Sequence, residues 1–370
     1  MKRILLLVSL CLLLGIVVYF SYFHKEDTSV LDNQNTYPVI ETDSTIEQFI
    51  LEHLMRPDGA IQTNFTGKKS GDILLSESLG LWMEYLVLKE DEQQFAYAFD
   101  ALQNIYQLEN GLVSWQLVDE EKASTNALID DLRIIESLFS MGEKVNEQRY
   151  IDEAIRMSES MVKRQLMEQY LVDFYDIKYK TNNDFLTLSY INMESIYYME
   201  RYKLIESTTV QKMKKLLENL PIQNVFYAQT YQIPSHTFIF DDEINLIDQL
   251  YIAIHLERAG VETEVFNDWL QAEFYKNHHL YGRYDAVTKQ PTVDYESVAV
   301  YALAAMYGLE RHDDDFSENV YQQVLSLQVE EKESEYYGGF VASGIKNTHS
   351  FDNLLALLAE RMLLDAEIIR

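Results

Sequence analysis

The sequence predicts an all-α fold made of helical hairpins closed into a ring, and three observations carry that expectation. Apolar residues recur at spacings of three and four in about twelve segments, near 44–55, 74–89, 91–107, 127–141, 147–166, 185–203, 207–219, 243–259, 263–275, 293–309, 316–328 and 349–367. Few runs alternate with period two, and only 13 Gly and 5 Pro interrupt the 370 residues. Every second segment begins about 50–60 residues after the previous one, a period that marks a repeated helix pair.

The elements follow in chain order. Lys2 and Arg3 precede an uncharged stretch from Ile4 to Phe23. At 1.5 Å per residue such a stretch reaches roughly 30 Å, one hydrocarbon core, so 1–23 reads as an N-terminal membrane anchor or uncleaved signal. A cleavable signal peptide is the rival, although no small-x-small site precedes His24, Lys25, Glu26 and Asp27. Cys11, the only cysteine, follows Leu10, a poor context for lipid attachment, and leaves the exported part without a disulfide. The basic flank predicts that the rest of the chain lies outside the cell membrane. Residues 24–43 are polar, aperiodic and contain Pro38, as a linker would. Ser44-Thr45-Ile46-Glu47 then forms a capping box that opens the first helix of a domain over 44–370.

Composition narrows the partners. Sixty acids against 30 bases give a formal charge of −30, which excludes the positive surface that nucleic-acid binding needs. The same field favours a neutral or cationic polymer over a heavily carboxylated or phosphorylated one. His278-His279 cannot both face one metal on a helix, no HExxH or Gly-rich phosphate loop occurs, and no cofactor or metal is expected.

The even-numbered segments are the more apolar, so they are the expected inner helices of the ring. They begin with SESLG at 76, DDLRI at 130, FLTLSY at 185, DEINLID at 242, DYESVAV at 294 and HSFDNLLAL at 349. All inner helices then run the same way, and their N-termini gather Glu77, Asp130, Asp131, Asp242, Glu243, Glu296 and Asp352 on one rim. A first-turn acid ordinarily complements the helix dipole, worth about 0.3–1 kcal/mol. Several acids set against dense apolar runs instead make a desolvated cleft, which is a functional-site signature.

Ser76-Glu77-x-x-Gly80-x-x-Met83 resembles the serine-glutamate motif of glycoside hydrolase family 8, and Tyr295-Glu296-Ser297-Val298-Ala299-Val300-Tyr301 resembles its tyrosine-aspartate segment. IDDLRII at 129–135, NLIDQLY at 245–251, and YGGF with HSFDNLLALL near 337–358 extend the resemblance from about Ser44 to the C-terminus. It implies an (α/α)6 toroid of six helical hairpins and inverting hydrolysis of β-linked polysaccharides, with Glu77 as general acid and position 296 as general base. Three positions depart from the family pattern. Ile129 stands where the first of two spaced aspartates is usual, with Asp131 matching the second and Asp130 between them. Glu296 replaces the aspartate base, and Ala299 replaces an arginine; Asp294 competes for the base role.

Inverting hydrolysis needs one protonated carboxyl beside the leaving oxygen and one ionised carboxylate beside a water. A helix N-terminus favours ionised Glu77, so neighbouring carboxylates and burial have to hold its proton; Asp130, Asp131 and Glu296 are the available groups. Asp130, Trp82, Trp115, Arg283 and Tyr295 are the expected substrate-binding residues, although Arg133 and Arg283 also suit structural ion pairs. The leading expectation is a membrane-anchored extracellular hydrolase of a surface polysaccharide or exopolysaccharide. Its rivals are an inactive glycan-binding toroid, with polysaccharide-synthesis machinery as partner, and a lyase, which the acidic rim disfavours.

Overall fold

The computed structural model describes Thr42 and residues 44–66, 73–109, 111–341 and 347–370. The expected membrane span over 4–23 and nearly all of the linker lie outside the described residues, among which no helix is long and apolar enough to cross a membrane.

Twelve α-helices are present among the described residues. They are α1 (Thr45–Phe49), α2 (Ser76–Lys89), α3 (Glu92–Ala101), α4 (Leu128–Val145), α5 (Gln148–Gln165), α6 (Met193–Arg201), α7 (Ser207–Glu218), α8 (Leu246–Arg258), α9 (Glu264–Asn277), α10 (Val298–Glu310), α11 (Asp314–Ser326) and α12 (Ser350–Asp365). Helices α1 and α3 each continue into one π-helical turn, at Ile50–Leu54 and Leu102–Tyr106. The even helices form the inner layer, as their apolar content predicts. α2 packs on α4, α4 on α6, α8 on α10, α10 on α12 and α12 back on α2, which closes the ring. Between α6 and α8 the contact is made by a 3₁₀ turn, Leu188–Tyr190, seated on α8. The run VAVYALAAMYG in α10 is buried throughout, because an inner helix is surrounded on all sides.

The seam joins the two ends of the ring. Ser44 caps α1 by accepting from the Glu47 amide at 3.3 Å, and its hydroxyl also bonds Glu360 of α12. Glu47 does not complete the capping box. It is buried and takes Lys89 Nζ at 2.6 Å, so α1 is tied to the end of α2. Asn64–Phe65 pairs antiparallel with Thr348–His349 across the same seam.

Between the helices lie antiparallel strands of two or three residues, too short to show a period in the sequence. Several lead directly into inner helices: Ile73–Leu75 into α2, Glu243–Asn245 into α8 and Thr348–His349 into α12. The inner helices α6, α8 and α10 start later than their apolar pattern suggests. Asp242, Glu243, Asp294 and Glu296 stand in the approach segments rather than in first turns. Glu243 is exposed and paired with Arg283 at 3.2 Å, so the rim it shares is narrower than the seven expected acids.

Inner and outer helices approach closely where the chain turns back. A Cβ on Gly308 of α10 would run into Ser317 Oγ and stand 3.1 Å from Phe316 Cδ1 of α11. Gly308→Val is expected to destabilise the fold by about 1–3 kcal/mol through overpacking. Urea unfolding followed by circular dichroism checks this, and a midpoint equal to the parent's would refute the close contact.

Candidate active site

The start of α2 is placed by the strand before it. Ile73–Leu75 pairs with Gln116–Val118, and the Ser76 amide donates to the Trp115 carbonyl at 3.0 Å, so the chain turns into helix with Glu77 in its first turn. Ser76 Oγ donates to Asp130 Oδ2 at 2.6 Å, which brings the first turn of α4 against that of α2. Arg133, one turn along α4, lies 3.8 Å from Asp130 Oδ1 and 3.2 Å from Glu84 Oε2. The charges that act on Glu77 are those of Asp130 and Arg133 from α4 and of Asp352 from the first turn of α12.

Burial pushes the Glu77 carboxyl up to about 8, with the Asp130 charge adding, Arg133 opposing and Asp352 adding again. The helix N-terminus pulls the other way by about 0.3–1 kcal/mol, less than this shift represents. After burial, the carboxylates that raise Glu77 are Asp130 and Asp352; Asp131 and Glu296 are not among the charges that act on it. Asp130 is itself buried, and burial raises it although Arg133 and Ser76 oppose.

Asp131 points to a different environment. Asn126 Nδ2 donates to its Oδ2 at 2.8 Å and also to Gln165 Oε1, while Oδ1 has no hydrogen-bond partner. Fully buried there, Asp131 is raised well above the ordinary carboxylate range. The two adjacent aspartates have therefore exchanged the places expected of them: Asp130 touches the Ser76-Glu77 turn, and Asp131 anchors α4 to the loop before it. Consecutive helical residues lie about 100° apart, so only one can face α2.

Asp352 links two parts of the rim. Its Oδ1 accepts from the Ala299 amide at 3.1 Å and Ser297 Oγ at 3.3 Å, capping α10 from a neighbouring helix. Glu296 and Asp352 line one cavity of about 480 Å³, together with Asp294, Tyr295, Leu327 and Phe340. Glu296 Oε1 receives the Tyr301 hydroxyl and lies 2.8 Å from His279 Nδ1. Asp294 is exposed on the same cavity, and Tyr295, 45% exposed, packs over Gly282.

A second cavity, about 320 Å³, is lined by Trp115, Thr125, Asn126, Ala127, Asp173, Phe174 and Tyr190. Trp115 is 38% exposed there. Asp173 accepts from the Thr187 amide at 2.7 Å and Thr187 Oγ1 at 2.6 Å, yet burial lifts it to about 6. Burial and the charges of Asp173, Asp248, Asp130 and Glu77 raise the Tyr190 phenol, which places this ring among the acids of the rim.

Two expected binding residues are elsewhere. Trp82 is wholly buried and stacks on Tyr85 with ring centroids 5.3 Å apart, because its position in α2 faces the core. Arg283 is exposed, paired with Glu243, and lines neither cavity. Conversely, the sequence gives no site role to Tyr190, Asp173, His279 or Tyr301. FLTLSY and HSFDNLLAL mark the starts that carry Tyr190 and Asp352, but nothing local marks Asp173 or His279, which reach the site from loops.

The raised carboxyls have a consequence for stability. Glu77, Asp130, Asp131 and Asp352 are all raised, so the folded state favours their protonated forms. The stability they contribute is complete below the ordinary carboxylate range and is lost as pH climbs toward about 8, the value for Glu77. The melting temperature is expected to fall between about pH 5 and pH 8.5. Glu77→Gln, always neutral, should melt with the parent at the acid end and above it at the alkaline end, as scanning calorimetry can read. A Glu77 that served only as a first-turn charge would give a variant less stable at alkaline pH.

No protein-family model matches the chain. A Bacillus subtilis (strain 168) protein described as "Putative lipoprotein YdaJ" is 37% identical over 325 residues, 88% of each chain. Among solved structures, a protein described as a novel alpha-amylase from Clostridium perfringens superposes with a TM-score of 0.79 at 25% identity, over 87% of this chain and 99% of its own. PssZ from Listeria monocytogenes gives 0.71 at 26% identity, over 87% and 97%. Endoglucanase Cel10 from Klebsiella pneumoniae, a family 8 glycosyl hydrolase, gives 0.60 at 15% identity, over 86% and 99%, a likeness of fold. The chain belongs to the family of YdaJ, as a divergent member built on the toroid of glycoside hydrolase family 8.

Proposed function

We propose that the protein is an extracellular glycoside hydrolase that cuts a β-linked surface polysaccharide or exopolysaccharide by inverting acid–base catalysis. The observation that carries this reading is the Glu77 carboxyl, pushed up to about 8 by burial and by the charges of Asp130 and Asp352, the second of which also lines the cavity of Glu296 and Tyr295. Glu77 gives its proton to the glycosidic oxygen as the bond from the sugar carbon breaks. A carboxylate on the far side takes a proton from the attacking water; Glu296 is the proposed base, with Asp294 on the same cavity as competitor. Asp130 and Asp352 keep Glu77 protonated between turnovers, and Trp115 and Tyr295 offer ring faces to sugars.

Two observations favour a second reading. Glu296 already holds Tyr301 and His279, and Ile129 and Ala299 depart from the family pattern, which suits a toroid that binds glycan without cutting it during polysaccharide synthesis or export. The Clostridium perfringens protein is described as an alpha-amylase, so α-linked glucans belong in any substrate panel.

The test is release of reducing ends from β-glucans, xylan, chitosan, exopolysaccharides and starch. Glu77→Gln should lower turnover by about 10²–10⁴ with substrate binding retained. Only one of Glu296→Gln and Asp294→Asn should match that loss. An active preparation whose rate survives Glu77→Gln would overturn the acid assignment, and binding without cleavage across the panel would favour the non-catalytic reading.

The proposed location is the outer face of the cell membrane, held by residues 4–23; release after signal cleavage and lipid attachment at Cys11 are the rivals, the last favoured by the description of YdaJ. Protease added to intact cells should remove the domain. A protected domain would contradict an external location, and metabolic labelling with a fatty acid that is lost in Cys11→Ser would select the lipid anchor.

A further inference from the structure

We propose that Arg133 is the positioning residue of the Glu77 acid, a buried cation held beneath the catalytic rim to receive the charge that proton transfer leaves behind. This rests on Glu77 being the acid.

The geometry is built from two helices. Glu77, Gly80 and Glu84 stand at i, i+3 and i+7, so they share one face of α2. Arg133 reaches across from α4 onto that face. A Cβ at Gly80 would lie 3.3 Å from Arg133 Cδ and 3.6 Å from Cγ, so the glycine opens the groove in which the arginine stem lies. The guanidinium is then fixed on several sides. Nε is 3.2 Å from Glu84 Oε2, Nη2 donates to the Tyr251 hydroxyl at 3.3 Å, and the group lies 5.8 Å from the centroid of the Tyr251 ring. Nη1, 3.8 Å from Asp130 Oδ1, is buried and makes no hydrogen bond within the protein. A small cavity of about 40 Å³, lined by Arg133, Glu84, Tyr251 and His255 among others, adjoins it.

A structural arginine would use its donors, and an apolar side chain would fill an inner-helix position at lower desolvation cost. Here one donor is left over on the side of the Asp130 carboxyl. When the Glu77 O–H bond breaks and its proton bonds to the leaving oxygen, a carboxylate remains at the end of the same helix face. Arg133 is the cation that opposes the burial, Asp130 and Asp352 effects at Glu77; Tyr251, Glu84, Asp130 and Glu77 in turn raise Arg133 against its own burial. Without the arginine the acid keeps its proton too firmly.

The experiment is carbon-13 NMR titration of Glu77 in protein labelled at the glutamate carboxyl carbon, the resonance assigned by its loss in Glu77→Gln. In Arg133→Gln the Glu77 titration is expected to move upward by about 1 pH unit or more. If that variant does not fold, Arg133→Met combined with Glu84→Gln removes the cation without stranding its partner, and Glu84 is not among the charges that act on Glu77. Glu77 titrating at the parental pH in a folded variant overturns the proposal. On a cleaved glycan, kcat should fall about 10²-fold with KM little changed, and the alkaline limb of the rate should move with the NMR titration. A parent that hydrolyses nothing overturns the hydrolase reading instead, and the coupling of Arg133 to Glu77 is then judged by the titration alone.

Discussion

The common direction of the six inner helices is the constraint on which the rest of this molecule depends. Because α2, α4, α6, α8, α10 and α12 alternate with outer helices that return the chain, their N-termini are brought to one face of the ring. Each N-terminus is led in by extended backbone, so polar residues at the ends of apolar runs converge there. An isolated helix would leave such acids in water, where the dipole keeps them ionised. Closing the ring removes that water, and mutual repulsion then favours protonation. Burial and like charge outweigh the dipole at Glu77, which turns an ordinary first-turn residue into an acid that holds its proton at neutral pH.

The cost of that arrangement is spread over the inner layer. Ser76 and Arg133 partner Asp130, Asn126 partners Asp131, Thr187 partners Asp173, and the α10 N-terminus partners Asp352. Despite these bonds all four carboxyls stay raised, so desolvation dominates every one of them. Such a site destabilises the fold as it ionises, and the apolar contacts of inner helices such as α10 compensate. This division of labour is the usual one between a strained site and its scaffold.

Further from the rim the polar core continues along the axis. Asn192 donates to Glu136 at 2.6 Å, and burial lifts Glu136 to about 7; Arg258 holds Glu310 at 2.8 Å, and burial lowers His255 to about 3. Inner helices of a ring leave a central space that apolar side chains alone do not fill, and Asn192, His255 and Arg258 line it beside Arg133 and Tyr251. The axial cavity is lined by Glu84, Arg133, His255 and Arg258 together with Leu81, Ile129, Leu303 and Leu355, so polar and apolar groups share the floor beneath the site.

Periodicity alone determined the twelve helices, their alternation and the inner set, because a helix buried on every side must be apolar on every side. It also placed Glu77, Asp130 and Asp352 at inner N-termini, and the serine-glutamate motif singled out Glu77. Where extended segments replace first turns, as at Glu243 and Glu296, the pattern overran, since short strands carry no period. Trp82 and Asp131 could not be assigned from spacing, because a 100° step between helical neighbours decides whether a side chain meets the cleft or the core. Only the tertiary structure put Asp173, Tyr190 and His279 beside the rim and set Arg133 against Gly80 and Glu84. Those contacts join residues far apart in the chain, and their energies arise from exclusion of water, which exists only once the ring has closed.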